Sequence, residues 1–137
     1  MRAPSPEPRP LVLIATLNAP VRVELARLVA RRGMAALACF DGAAAVTAGY
    51  IQRGTLRAAI LDSDLPTIPG DEVARALSAD LPGLAALVLC RRDAPPPSGP
   101  QDRSGLAPDE LARIEAWLGA LPPVRDTAAP AVALALG

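Results

Sequence analysis

The chain has 137 residues, of which 14 are arginine and 14 acidic, with no lysine and no histidine, so its formal net charge is zero. The missing histidine excludes a His-based triad, a phosphohistidine relay on this chain and an imidazole metal site, and the missing lysine excludes a Schiff base and a P-loop. Zero net charge also argues against a DNA partner, since nucleic-acid binders carry a basic excess.

With 51% hydrophobic and 20% charged residues the composition is that of a globular domain. Only Phe40, Tyr50 and Trp117 are aromatic, so Ala, Leu and Val must fill the core. No window reaches the ~18 apolar residues of a membrane span, and the N-terminus lacks an apolar signal core. A cytoplasmic protein with no membrane partner is expected. Cys39 and Cys90 each close an apolar run and are expected to be buried, reduced thiols.

In chain order, residues 1–10 carry four prolines and read as a linker. The run Leu11-Val-Leu-Ile14 suits a strand buried on both faces. Asn18 then caps a helix that puts Val21, Leu25, Leu28 and Val29 on one face and Arg22, Arg27 and Arg31 outside, ending at Gly33. Met34 to Phe40 is a second strand. Asp41-Gly42 opens a second helix reaching about Arg53-Gly54, with Ala44, Val46, Tyr50 and Ile51 as its inner face. The third strand, Arg57 to Leu61, terminates in Asp62, and DSDLPTIPG reads as a loop.

Asp71 and Glu72 occupy the first turn of a third helix, where they complement its dipole, and Val73 and Leu77 face inward. Leu84 to Leu89 is a fourth strand. The Pro-rich stretch RRDAPPPSGPQDRSG is incompatible with a helix. A last helix opens at Pro108, with Asp109 and Glu110 in its first turn and Leu111, Ile114, Leu118 and Leu121 on one face. Asp102 to Leu106 is the candidate fifth strand. Residues 122–137 read as a Pro/Ala-rich linker or tail, AVALALG being a tether in preference to a short helix or an extra strand, which leaves 11–121 as the folded domain. Alternating strands and amphipathic helices imply a doubly wound parallel sheet of about five strands. Ligands of such sheets sit at the carboxyl ends of the strands, where Asp62 stands.

The segment from Leu11 to about Ala120 resembles the receiver domain of two-component signalling, a flavodoxin-like (CheY-like) α/β fold. The resemblance rests on Ala58-Ala-Ile-Leu-Asp62-Ser-Asp64-Leu-Pro66-Thr-Ile-Pro-Gly70, with support from Asp41-Gly42, Leu81-Pro82 and Pro108-Asp-Glu-Leu111. It implies that Asp62 stands in the phosphoacceptor position. Phosphorylation of a carboxylate needs Mg²⁺ to offset the charge of nucleophile and phosphoryl group, and Mg²⁺ needs hard oxygen ligands.

Several positions depart from that pattern. Where the family has two acids after the first strand, this chain has Thr16 and Leu17, followed by Asn18. Asp64 stands where the family uses a backbone carbonyl. Cys90 replaces the hydroxyl residue of the fourth strand, the conserved lysine has no counterpart unless Arg103 substitutes for it, and no aromatic lies between Tyr50 and Trp117. The fourth helix is expected to be shortened or replaced by the Pro-rich loop.

The resemblance therefore implies a pseudo-receiver: a non-enzymatic regulatory module in which Asp62 is vestigial, Mg²⁺ and other cofactors are not expected, and Thr16, Leu17, Asn18, Asp64 and Cys90 form a degenerate pocket. Its expected partners are other domains of the same signalling protein, such as a hybrid histidine kinase, or a separate histidine kinase or response regulator. One alternative is a ligand sensor in which Arg91, Arg92 and Arg103, beside Asp93, bind a phosphorylated nucleotide such as cyclic di-GMP. A second is an atypical receiver that is phosphorylated at Asp62.

Overall fold

The computed structural model describes residues 9–91, 106–121 and 132–136. Five strands form one parallel sheet: β1 (Leu11–Ala15), β2 (Ala35–Cys39), β3 (Leu56–Asp62), β4 (Ala85–Arg91) and β5 (Val132–Leu136), in the order β2-β1-β3-β4-β5. Four helices join them: α1 (Ala19–Arg31), α2 (Gly42–Ile51), α3 (Gly70–Asp80) and α4 (Pro108–Gly119). The central strands are apolar without interruption because both their faces are covered. Val12, Leu13, Ile14, Ala15, Ala58, Ala59, Ile60 and Leu61 are all buried.

Strand alternation divides the core into two layers. Val12, Ile14, Ala58, Ile60, Leu87 and Leu89 pack under α1 and α4, against Leu25, Leu28, Ile114 and Leu118. Leu13, Ala15, Ala59, Leu61, Ala86 and Val88 pack under α2 and α3, against Ala45, Val73 and Leu77. α1 and α2 begin with a side-chain cap. Asn18 Oδ1 accepts from Val21 N at 3.1 Å and Asp41 Oδ1 from Ala44 N at 2.7 Å, so each caps its helix. Past the C-cap residue Arg32, Gly33 takes φ 78°, the left-handed exit that glycine adopts without steric cost.

The fifth strand corrects the sequence reading in two respects. It is Val132–Leu136, paired in parallel with β4 from Leu87↔Val132 to Arg91↔Leu136, so this part of the 122–137 segment belongs to the sheet. Of the Asp102–Leu106 candidate, residues 102–105 lie outside the described residues, and Leu106 is a buried residue ahead of α4. The strand runs along the open edge of β4, and Leu134 packs against the core layer under α1 and α4.

The inner face of α2 is also corrected. Gly42, Ala45 and Gly49 are buried, whereas Tyr50 and Ile51 are 55% and 66% exposed and Ala44 is exposed. A Cβ on Gly49 would meet the Leu77 side chain of α3, so α2 makes room for that leucine with a glycine, and Tyr50 and Ile51 are turned outward.

The connections differ in hand. α1 carries the chain from β1 to β2 across one face, and α2 and α3 carry it in the opposite direction across the other face, so these three crossovers share one hand. α4 lies on the face of α1 yet carries the chain the opposite way, from β4 to β5. The β4-α4-β5 connection is therefore opposite in hand to the other three, whereas about 98% of such units are right-handed.

Candidate functional site

The carboxyl ends of β1, β2 and β3 meet around Asp62, the last residue of β3 and only 8% exposed. β1 runs out into Thr16, which continues the pairing by donating its N–H to Cys39 O at 3.3 Å and is 1% exposed. Thr16 Oγ1 donates to Asp62 Oδ2 at 3.1 Å and accepts from Asn18 N at 3.1 Å. Asp62 Oδ1 accepts from Asp64 N at 3.2 Å. Both carboxylate oxygens thus have neutral donors, which a buried carboxylate requires.

The loop between β3 and α3 is fixed against the start of α2. Ser63 N donates to Leu89 O at 2.9 Å, Gly70 N to Ser63 O at 3.3 Å and Gly42 N to Pro66 O at 2.9 Å. Thr67 Oγ1 accepts from Ala43 N at 2.9 Å and donates to Asp41 Oδ1 at 3.3 Å. Thr67 holds φ 68°, an uncommon conformation for a β-branched residue. At Gly70 and Gly42 a Cβ would overlap the carbonyl oxygens of Asp62 and Ile68 respectively, so the loop has room only for glycine at both positions.

Beside the pocket, Arg22 Nη1 donates to Thr16 O at 3.2 Å and its guanidinium lies over the Phe40 ring, 4.7 Å from the centroid. Phe40 and Leu17 are 51% and 62% exposed, so the rim on this side is apolar and cationic.

The residues singled out in the sequence separate accordingly. Thr16 and Asp62 are in direct contact, Asn18 is the cap of α1, Leu17 faces solvent and Asp64 is exposed. Cys90 is half-buried on β4, with Sγ 3.9 Å from Val88 O, and not fully buried as expected; Cys39 is buried, and both are free thiols. Burial, and after it the Asp41 charge, pushes the Cys39 thiol above its ordinary pKa. Arg91 closes β4, while Arg92, Asp93 and Arg103 lie outside the described residues. Sequence reasoning missed the roles of Thr67, Arg22 and Phe40; Asp41 carried the only signal for this contact, as a helix cap. Among the described residues no group of three or more His, Cys, Asp or Glu side chains is placed to hold a metal ion, and no helix is long and apolar enough to cross a membrane.

No protein-family model and no curated protein sequence matches the chain. Its structure is similar to those of receiver domains. The signal receiver domain of a putative LuxO repressor protein from Vibrio parahaemolyticus is 19% identical with a TM-score of 0.59, covering 81% of this chain and 88% of that one. A response regulator receiver protein from Sinorhizobium medicae WSM419 is 15% identical with a TM-score of 0.59, covering 93% and 82%. The CheX-CheY-BeF3-Mg complex from Borrelia burgdorferi matches at 16% identity and a TM-score of 0.54, covering 59% and 61%. The protein thus has a five-stranded parallel α/β fold of the CheY-like receiver class.

Proposed function

We propose that the protein is a regulatory pseudo-receiver module of two-component signalling, working through contacts with other domains and not through phosphorylation of Asp62. The observation that carries this reading is the hydrogen bond from Thr16 to Asp62. A phosphoryl group arriving at a carboxylate brings negative charge to negative charge, and a divalent cation held by neighbouring oxygens is what makes that approach feasible. Where the receiver resemblance implies an acid, Thr16 supplies a neutral hydroxyl, and that hydroxyl is directed at Asp62 Oδ2. Mg²⁺ requires octahedral oxygen ligands anchored by carboxylates. Asp62, buried and already accepting hydrogen bonds at both oxygens, with Leu17 turned to solvent, does not fit it.

A partner surface is the remaining asset of this end of the sheet. Exposed Leu17 and Phe40, with Arg22 between them and the pocket, offer apolar area and a positive charge to a neighbouring domain of the same signalling protein, or to a histidine kinase or response regulator. The test is to incubate the full chain with Mg²⁺ and acetyl phosphate and measure its intact mass. An unchanged mass is expected. A phosphoryl adduct that disappears in Asp62→Asn overturns the reading.

A further inference from the structure

We propose that the C-terminal strand is exchanged between two copies of this chain, so that β5 of each copy completes the sheet of the other. Three observations lead there. First, with β5 taken from the same chain, the β4-α4-β5 connection is opposite in hand to every other connection of the fold. Right-handed strand twist disfavours that route, which is why it is rare. In an exchanged pair the same β4 edge receives the same residues, yet the chain that leaves α4 no longer has to return to its own sheet, and the unfavourable hand disappears.

Second, the chain between α4 and β5 is long enough to reach a second copy. Residues 122–131 number ten, and ten residues span at most about 33–36 Å, enough to pass from one domain to its neighbour.

Third, among the described residues β5 pairs with β4 alone, and nothing in that pairing is specific to its own chain. Its partners run from Leu87↔Val132 to Arg91↔Leu136. Leu134 is half-buried against the α1/α4 core layer, while Ala133 and Ala135 are exposed. These contacts are reproduced when the strand comes from a second copy, so the two forms differ in the connection and in the concentration-dependent entropy of association.

The register provides the test. Cys90 and Ala135 are partners across β4 and β5. Adjacent strands are about 4.8 Å apart, inside the range of about 4.4–6.8 Å in Cα separation that a disulfide accepts. The full chain carrying Ala135→Cys in a Cys39→Ala background is oxidised at several dilutions and run on a non-reducing gel. Exchange predicts a covalent dimer as the main product; an internally crosslinked monomer overturns it. The unmodified chain provides a second readout, independent of whether that variant folds. Sedimentation equilibrium is expected to give twice the chain mass at tens of micromolar, and a monomer at every concentration overturns the proposal. A dimer by mass whose crosslinked variant is nevertheless an internally closed monomer overturns it as well.

Discussion

Gly70 sits directly against the backbone of Asp62: a Cβ at position 70 would overlap the Asp62 carbonyl oxygen and crowd the Cα of Ser63 at 3.2 Å. The obstacle is backbone and has no rotamer by which to move aside. Gly70→Ala is therefore expected to cost about 2–3 kcal/mol, in the range of overpacked cores, and to displace the loop that supplies Asp64 N to the Asp62 carboxylate. Gly54 is the internal control, because a Cβ there meets nothing within 4 Å. Gly54→Ala should be neutral or stabilising by about 0.4–1 kcal/mol, through the unfolded state. Urea denaturation of both variants measures the contrast, and equal effects would refute the close approach.

The Thr16 hydroxyl is expected to stabilise the buried Asp62 carboxylate through the hydrogen bond that it donates to Oδ2. In Thr16→Asp a second carboxylate would face the first in a site where Thr16 is 1% and Asp62 8% exposed. Two like charges at this distance in a poorly solvated pocket cost on the order of 3 kcal/mol. Mg²⁺ in the millimolar range should recover part of that loss in the variant, since the pair then offers the carboxylate ligands the ion requires. The unmodified protein should have the same thermal midpoint in Mg²⁺ and in EDTA. A midpoint that rises with Mg²⁺ in the unmodified protein would contradict the proposed function.

How much of this was readable from the sequence depends on whether one residue pattern admitted one structure. β1, β3 and β4 each contain an apolar run of four or more residues, and α1 and α3 place Val21, Leu25 and Leu28, and Val73 and Leu77, at helical spacing, so these elements emerge where expected. The face of α2 is not legible from residue size, because its buried positions are Gly42, Ala45 and Gly49, and Gly42 lies against Ile68 of the loop while Gly49 lies against Leu77 of α3. β5 was missed because alternating Ala and Leu fits a helix, a strand or a tail equally, and only the open edge of β4 decides among them. At the site, the motif around Asp62 located the carboxylate, and the absence of an acid at position 16 was visible. That the Thr16 hydroxyl would be donated to Asp62 was not, because the contact spans 46 residues.

Glu24 joins two elements that are far apart in the chain: its Oε1 accepts from Leu106 N at 2.9 Å, 82 residues away. Glu110 Oε1 accepts from the next amide, Ala107 N, at 2.8 Å. Two consecutive amides ahead of α4 are thus held by carboxylates, with Leu106 buried beside them. Glu24→Ala removes the acceptor and leaves a partly buried N–H unsatisfied, an expected loss of about 1–3 kcal/mol. Glu24→Gln retains an acceptor oxygen and should lose less than half as much. Hydrogen exchange locates the effect: the Leu106 amide should lose protection first. A uniform loss across α1 and α4 would mean that Glu24 contributes to packing and not to this tether.

The two thiols belong to the same core layer but differ in burial, and their reactivities should differ accordingly. Cys39 is buried at the end of β2 with its Sγ 3.9 Å from Ala44 O, and burial together with the Asp41 charge raises its pKa. A thiol whose folded-state pKa lies above its ordinary value holds less thiolate at any pH near neutrality, and the thiolate is the nucleophile. Cys90 is half-buried on the same face, on β4, the strand that β5 flanks. Iodoacetamide at pH 8 should therefore modify Cys90 at least about tenfold faster than Cys39, and Cys39 should react only as urea opens the domain. Peptide mass mapping of a time course separates the two sites. Faster modification of Cys39 in the folded chain would show that the end of β2 opens locally, and the Thr16 amide, which donates to Cys39 O, would then have to exchange on the same timescale.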